Sequence, residues 1–360
     1  MRVSLTKSER RFSAAADQSL LDAAIAAGLA LAHSCRSGNC GACRATLLQG
    51  EVTYPYGPPL GLSADEIGAG KVLLCQARAR TDLELDIDEI RRPEEVVVKR
   101  LPCRIEHAQR LAHDVIALYL RLPSAEEFAF QPGQYLDVIL PGGRRRSFSI
   151  ASPPHDARLV ELHVRHVAGG EFTDRLFAAD PAKILLTIEG PLGDFRYHPP
   201  RLDAAGAGRR ASGGAAAPML LVAGGTGYAP INAILRHLVD QGSERDLWLY
   251  FGVRAERDLY ADARIREIAA RAPRLRYVPV LCEPSADWRG RRGLVHEAVL
   301  AEHPRLEAFD VYACGPPAMI QAVRRDFAAC GADPARLYFD SFDYAPDSVA
   351  RQRNSASSKS

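Results

Sequence analysis

The stretch Cys35-Arg36-Ser37-Gly38-Asn39-Cys40-Gly41-Ala42-Cys43, answered by a fourth cysteine at Cys75, constrains this chain more than any other feature. Three cysteines at C-x4-C-x2-C and a distant fourth offer four soft thiolates, the number and type of ligand that suits two irons bridged by sulfide. Gly38 and Gly41 fit a loop that turns tightly and aims backbone N–H groups at sulfur. A zinc site prefers two C-x2-C pairs, and only Cys40 and Cys43 form one. A disulfide framework is out of place in a chain of 360 residues with no secretory signal. The expected metal ligands are therefore Cys35, Cys40, Cys43 and Cys75, and their expected work is one-electron transfer.

At 360 residues the chain has room for two or three domains, each with its own core. Hydrophobic residues at 47% and charged residues at 25% describe an ordinary globular protein. A formal net charge of +2 argues against a nucleic-acid partner or an anionic membrane surface. Of eight cysteines, four (Cys103, Cys282, Cys314, Cys330) are scattered, and a reducing cytoplasm is the simplest home for so many thiols. Arg10-Arg11-Phe12 followed by Leu20 to Ala32 superficially resembles a twin-arginine signal. Asp17 and Asp22 interrupt its apolar part, which leads straight into the cysteine loop, so no targeting segment and no membrane span is expected.

Taken in order, Val3 and Leu5 with Arg11 to Ser13 read as a hairpin. Ser19 can cap a helix from Leu20 to Ala27 that Gly28 ends. Arg44 to Leu48, Val52 to Tyr54 and the period-two run Leu83 to Ile87 read as strands. Asp88 to Lys99, charged and carrying Pro93, reads as a linker. From 100 to 200 strand follows strand (Val115 to Leu122, Gln134 to Leu140, Arg146 to Ala151, Leu159 to Val167, Lys183 to Glu189), which suggests a small antiparallel barrel. Residues 203–217 are low-complexity and read as a mobile surface loop. After Met219 apolar strands alternate with helices up to Cys330, the pattern of a parallel sheet covered on both faces. The tail 346–360 reads as disordered.

Arg146-Ser147-Phe148-Ser149 sits on a barrel strand, where an arginine fork can pair with a pyrophosphate. Arg144-Arg145-Arg146 could equally be a solvated charge run. Gly169-Gly170-Glu171-Phe172-Thr173 is a glycine pair opening a helix, whose free N–H groups can hold a phosphate. Gly224-Gly225-Thr226-Gly227-Tyr228-Ala229-Pro230 follows an apolar strand and opens another helix. There glycines let backbone approach a pyrophosphate, although Pro230 stands where the full dinucleotide fingerprint has glycine. Cys314-Gly315-Pro316-Pro317 ends the last strand of the same sheet, at the same carboxyl edge. His163 and His166, three apart on one strand, point to opposite faces and make no metal pair. Trp248 and Trp288 read as packing residues.

The cysteine loop, then R-x-[FY]-S, G-G-T-G-x-A-P and C-G-P in this order resemble the three-domain iron–sulfur flavoprotein reductases. In these a plant-type [2Fe-2S] ferredoxin is joined to a module of the ferredoxin–NADP reductase superfamily. The group includes reductase components of aromatic-ring dioxygenases and CDP-6-deoxy-glucoseen reductases. The resemblance covers about residues 1 to 342. It implies a multidomain α+β and α/β fold: a β-grasp ferredoxin domain over 1–90, a linker at 91–99, an antiparallel β-barrel flavin domain over 100–202, and a parallel α/β nucleotide-binding domain over 218–345.

The resemblance also implies site residues. Arg146, Phe148 and Ser149 would bind FAD, with Ser149 near the reactive nitrogen. Gly170 and Thr173 would face the flavin phosphates, and His163 and Arg165 would also belong to the cofactor-binding set. Gly224, Gly225, Thr226, Gly227, Cys314, Gly315 and Pro316 would receive the nucleotide, Thr226 and Cys314 flanking the nicotinamide. Phe342, closing Tyr338-Phe339-Asp340-Ser341-Phe342, would pack beside the flavin, while a proton-relay role for Asp340 is doubtful. FMN in place of FAD stays open. Cys314 is a poor covalent nucleophile, since no partnered base is evident. In NADPH-using relatives Ser and Arg after the third nucleotide-domain strand hold the 2′-phosphate. Here Glu283 follows that strand and would repel it, so NADH is expected over NADPH, with Arg254 as the counter-indication.

Hydride carries two electrons and the cluster takes one at a time, and a flavin can do both. The expected path runs from NADH to FAD, to the cluster, to an external iron-containing protein. The acceptor would be the terminal oxygenase of a multicomponent dioxygenase. A dehydrase acting on a CDP-deoxysugar is the alternative. It would dock at the rim of the cluster loop, where Arg36, Ser37 and Asn39 would face solvent. An oxygen- or nitric-oxide-handling flavoprotein would need a haem or other terminal site, and a simple ferredoxin-like carrier would leave the chain from 91 onward without purpose.

Overall fold

The computed structural model describes residues 1–29, 31–33, 36, 38, 41–89, 97–156, 159–178, 180–182, 184–199 and 216–342. The expectations for Cys35, Cys40, Ser37, Asn39, the loop 203–215 and the tail 346–360 lie outside them. Two compact units are built around Met1–Val96 and Val97–Asp340.

In the first unit period-two strands turn their apolar side chains to one side. Val3 and Leu5 of β1 (Arg2–Leu5), Phe12 of β2 (Arg11–Ser13) and Leu83 and Leu85 of β7 (Leu83–Asp86) are all buried in one core. With β3 (Arg44–Gln49) and β5 (Lys71–Leu73) they form a sheet in the order β2-β1-β7-β3-β5, in which β1 and β7 are parallel. The helix α1 (Leu20–Ala26) contributes Leu20, Leu21, Ala23 and Ala24 to the same core. Its cap is the expected one: Ser19 Oγ accepts the Asp22 N–H at 3.0 Å, and Gly28 at φ 73° follows its end. The sequence reading omitted α2 (Ala64–Gly68) and the pair β4 (Val52–Thr53) with β6 (Arg78–Ala79) only half emerged from it. These elements are too short to show periodicity, though Ser63 and Glu66 form a capping box around the start of α2.

The second unit opens with six antiparallel strands in the order β11-β10-β13-β8-β9-β12. They are β8 (Lys99–Arg110), β9 (Val115–Arg121), β10 (Tyr135–Ile139), β11 (Arg145–Ser149), β12 (Val160–Arg165) and β13 (Leu185–Leu192). An antiparallel bridge between Ile150 and Leu162 joins the two ends of that order, closing a barrel. The strand β8 was not anticipated, and Lys99, expected in a linker, is its first residue. Pro102 demotes a strand reading because it lacks an N–H. Burial of Leu101, Cys103 and Ile105 at alternate positions outweighs that loss. The helix α3 (Glu171–Ala178) follows β12, where the glycine pair pointed to one.

Beyond the barrel, β14 (Met219–Gly224) is buried at every position, the signature of a central parallel strand. Its sheet runs β17-β16-β15-β14-β18-β19, with β15 (Leu247–Val253), β16 (Leu275–Leu281), β17 (Arg291–Arg292), β18 (Asp310–Gly315) and β19 (Leu337–Ser341). The helices α4 (Tyr228–Asp240), α5 (Asp262–Arg271), α6 (Val295–Glu302) and α7 (Pro317–Ala329) alternate with these strands, the pattern expected from the sequence. The chain steps from β14 to β15 on one side and later places β18 on the other. The strand order therefore reverses between β14 and β18, and their carboxyl ends carry Gly224 and Gly315.

Candidate functional site

In the first unit the antiparallel register sets Arg44 opposite Leu73. That places Cys43, just before β3, beside Cys75, just after β5. The Cys75 N–H donates to Cys43 Sγ at 3.4 Å, and the Leu74 N–H donates to the Cys43 carbonyl at 3.1 Å. Both sulfurs are buried, at 2% and 6% residue exposure. The Tyr54 hydroxyl accepts the Leu73 N–H at 3.2 Å. Burial, and after it the nearby Cys43 and Cys75 charges, push its phenol up. The loop approaching these sulfurs passes through left-handed backbone at Arg36 (φ 53°) and Gly38 (φ 82°). At Gly38 a Cβ would lie 2.8 Å from Gln76 Cγ, so no larger residue fits. Two adjacent buried thiols, one already accepting an N–H, form a donor set that fits thiolate ligation of an iron–sulfur group.

The loop is pinned from three directions. Gln76 Nε2 donates to the Arg36 carbonyl at 2.9 Å, the Gly61 N–H donates to the Gly38 carbonyl at 2.8 Å, and the Arg36 guanidinium pairs with Asp22. Burial raises the Asp22 carboxyl, but the Arg36 charge and the Ser19 hydroxyl outweigh it and hold the group below its usual range. This corrects the expectation that Arg36 faces solvent: its side chain is 17% exposed and spent on Asp22. On the segment that leads to Gly61, whose N–H holds Gly38, Tyr56 and Leu60 are exposed.

In the barrel, β11 pairs with β10 so that Tyr135 faces Ser149, Leu136 faces Phe148 and Val138 faces Arg146. Strand alternation gives Arg146 and Phe148 one side and Ser149 the other. Phe148 joins the barrel core with its ring centroid 5.7 Å from Phe172 of α3. The arginine run is resolved residue by residue. Arg144 pairs with Glu171 at 2.6 Å and Arg145 with Glu189 at 2.5 Å, while Arg146 Nη1 donates to the Arg145 carbonyl at 2.8 Å.

Two expected cofactor-binding residues have their polar atoms engaged within the protein. The Thr173 hydroxyl donates to the Val167 carbonyl at 3.0 Å and accepts its N–H at 3.1 Å. It shapes the turn before α3, so what that end offers a phosphate is backbone N–H, with Gly170 packed too closely to carry a side chain (a Cβ there would sit 2.6 Å from Thr173 Oγ1). His163 has both ring nitrogens engaged, Nε2 with Glu161 Oε1 at 3.1 Å and Nδ1 with Tyr260 Oη at 3.2 Å. It is a strut between barrel and parallel sheet and has no ring nitrogen left for a cofactor. Arg165 reaches the turn at Gly225: a Cβ on Gly225 would lie 3.1 Å from its Nη1, while its Nε pairs with Asp114 at 3.1 Å.

At the carboxyl edge of the parallel sheet a Cβ on Gly227 would come within 2.1 Å of the Cys314 carbonyl oxygen, and one on Gly224 within 2.5 Å of Met319 Sδ. Bare backbone is what lets the turn Gly225–Gly227 and the start of α4 sit on the end of β18. Thr226 on that turn is half-buried, and Cys314 is fully buried. Burial, then the Asp340 charge, pushes the Cys314 thiol well above its ordinary range, so it stays protonated and no nucleophile. Pro316 caps α7 just past Gly315. Beyond β16, the Glu283 N–H donates to the Arg254 carbonyl at 2.8 Å and its carboxylate lies 3.8 Å from Arg254 Nε. Phe342, directly after β19, is half-buried. Trp248 carries the Arg276 guanidinium 4.8 Å above its ring, a packing role.

Sequence reasoning missed the contacts that tie the two halves of this unit. The odd positions of β12 are Glu161, His163 and Arg165, and all three reach the nucleotide side, while Val160, Leu162 and Val164 fill the barrel core. The alternation was visible as a strand. Its polar face carried no motif, and its partners Arg236 and Arg264 lie 75 and 103 residues away.

Three family models match the chain: a 2Fe-2S iron-sulfur cluster binding domain over residues 3–80, an oxidoreductase FAD-binding domain over 102–197 and an oxidoreductase NAD-binding domain over 221–325. The chain is 34% identical over 331 residues to the CDP-6-deoxy-L-threo-D-glycero-4-hexulose-3-dehydrase reductase of Yersinia pestis, covering 92% of this chain and 95% of that one. It is 36% identical over 340 residues to the aromatic O-demethylase reductase subunit of an Amycolatopsis species, covering 92% and 96%. Among solved structures, an Amycolatopsis cytochrome P450 reductase superposes with a TM-score of 0.75 at 34% identity, over 96% of this chain and 100% of the other.

Proposed function

The chain belongs to the three-domain iron–sulfur flavoprotein reductases and is an NAD(P)H-dependent oxidoreductase with FAD and a [2Fe-2S] cluster; from that premise we propose that it serves as the NADH-dependent electron source of a separate iron-containing enzyme, an oxygenase component. When bound, the flavin accepts hydride and releases single electrons, which the cluster carries onward. The protein's part is binding and placement. Cys35, Cys40, Cys43 and Cys75 hold the cluster; the buried Cys43–Cys75 contact carries this assignment for two of them. The Arg146 fork and the backbone N–H groups of the first turn of α3 would hold the flavin pyrophosphate, with Phe148 and Ser149 of the same strand beside the flavin; the Gly170 N–H itself closes the turn on the Val167 carbonyl. The turn Gly224, Gly225, Thr226, Gly227, with Arg165 over it, receives the nucleotide pyrophosphate. Thr226 and the Cys314-Gly315-Pro316 corner would flank the nicotinamide. The ferredoxin domain occupies 1–90, the flavin domain 100–202 and the nucleotide domain 218–345.

Preference for NADH rests on the edge beyond β15 and β16. Glu283 holds Arg254, and Ser285 donates its hydroxyl to Glu256 at 2.5 Å. A 2′-phosphate there would meet two carboxylates and an arginine already paired, whereas a ribose diol can donate to Glu283. Comparing kcat/KM for the two nucleotides tests this, and a ratio favouring NADPH sinks it.

The acceptor is read from the relatives and the cluster rim. Relatives named for an aromatic O-demethylase and for a cytochrome P450 match over nearly the whole chain, which supports an oxygenase component. The equally long match to a dehydrase reductase supports the second reading, a deoxysugar dehydrase. With Arg36 spent on Asp22, exposed Tyr56 and Leu60 give the rim an apolar shoulder for either partner. Thiols at Cys103, Cys282, Cys314 and Cys330 suit a cytoplasmic setting. Among the described residues, no helix is long and apolar enough to cross a membrane. Reconstitution with purified oxygenase and dehydrase components separates the readings: turnover with an oxygenase is expected, and failure with every iron-containing acceptor counts against both.

A further inference from the structure

Glu161 projects from β12 away from the barrel core and is 2% exposed. Its carboxylate meets both Arg264 Nη1 at 2.7 Å and Nη2 at 3.3 Å, and Arg236 Nη1 at 3.2 Å. Arg236 lies on α4 and Arg264 on α5, so one barrel carboxylate joins two helices of the nucleotide half. His163 Nε2 and the Tyr119 hydroxyl complete its surroundings, at 3.1 and 3.4 Å, and Arg236 also reaches Asp156 at 2.7 Å. A carboxylate this deep needs such partners, since losing one leaves an uncompensated buried charge.

The location gives the cluster a consequence beyond stability. Arg236 sits on the same helix whose first turn follows Gly225–Gly227, and one turn earlier on that helix Asn232 Nδ2 donates to the Ala151 carbonyl at 2.9 Å. Ala151 is two residues past Ser149. The helix that begins at the nucleotide turn is thus fixed to the barrel at two points, by Asn232 to the segment that ends the flavin strand and by Arg236 to Glu161 of β12. Hydride transfer demands reacting atoms held within a few tenths of an ångström, and a shift of about 1 Å can cost on the order of a hundredfold in rate.

We propose that Glu161 is a positioning residue for hydride transfer: its two-arginine clamp sets the register of the nucleotide turn against the flavin strand. Glu161 touches neither cofactor in this role. It acts through α4 and α5, and through His163, which hands the contact on to Tyr260. The second arginine matters because one ion pair leaves a pivot, whereas two on different helices stop rotation.

Rapid-mixing reduction of the full-length holoenzyme by NADH, followed at the flavin absorbance, tests the proposal in Glu161→Gln. The expected result is retained flavin and cluster absorption, a limiting reduction rate lowered at least tenfold, and half-saturation by NADH changed less than threefold. Arg264→Lys, which keeps the charge but loses the fork, is expected to lower the limiting rate in the same sense with smaller loss of stability. A purely structural role would lower the thermal midpoint and leave the limiting rate within twofold of wild type. That outcome, in Glu161→Gln or, if that variant does not retain flavin, in Arg264→Lys, overturns the proposal.

Discussion

Asn232 and Ala151, both fully buried, are joined by a 2.9 Å hydrogen bond from the side-chain amide of one to the carbonyl of the other. The bond ties α4 to the end of the flavin strand, and the Glu161 clamp lies one turn further along the same helix. Flavin barrel and nucleotide half are thereby joined through buried polar contacts.

The clamp carries a pH signature. Burial alone would raise the Glu161 carboxyl, but hydrogen bonding and charge from His163 and Arg264 overcome it and bring the group down to about 2. A carboxylate depressed in the folded state stabilises the protein above its unfolded value, near 4.5, and that contribution disappears as pH falls toward 2. At about 1.4 kcal/mol per unit the contribution is about 3 kcal/mol. Wild type is therefore expected to lose stability between pH 4.5 and 2 more steeply than Glu161→Gln, measured as the difference of their thermal midpoints at each pH. Parallel pH curves would contradict the assignment.

Much of this molecule was legible in its sequence, for identifiable reasons. The cysteine spacing and the glycine turns are local, and the all-apolar run Met219 to Ala223 could only be a buried strand. What escaped was of two kinds. Elements such as Lys71–Leu73 and Ala64–Gly68 are too short for a period to register. The other kind is non-local: Arg36 looked exposed until the fold brought Asp22 beside it, and His163 was expected to bind a cofactor, whereas Glu161 and Tyr260 engage both its ring nitrogens. Nothing in the spacing of Glu161, Arg236 and Arg264 foretold that they meet.

Gly227→Ala tests the packing of the nucleotide turn. The added Cβ would meet the Cys314 carbonyl oxygen at 2.1 Å, against backbone that cannot rotate away. Overpacking of this kind costs about 1 to 3 kcal/mol and displaces α4. The variant is expected to bind NADH at least tenfold more weakly by titration while keeping its cluster absorption, because the cluster sits in the other unit. Unchanged nucleotide binding would mean that the turn does not carry the pyrophosphate.

Glu283→Ser tests nucleotide choice. Removing the carboxylate frees Arg254, now 3.8 Å from it, to meet a 2′-phosphate. The expected outcome is about a tenfold rise in kcat/KM for NADPH, equivalent to about 1.4 kcal/mol, with a smaller fall for NADH. No change in the ratio would place the ribose site elsewhere.

The central claim is that electrons leave the flavin through the cluster, and Cys75→Ser tests it most directly. Loss of one thiolate of four, at a position whose N–H donates to Cys43 Sγ, should make the cluster labile. Hydride transfer uses only the barrel and the parallel sheet, whose cores are separate from the cluster unit. Cluster-free Cys75→Ser is therefore predicted to oxidise NADH with ferricyanide at close to the wild-type rate and to lose most reduction of cytochrome c. Cytochrome c reduction surviving at near wild-type rate in that protein would contradict the account.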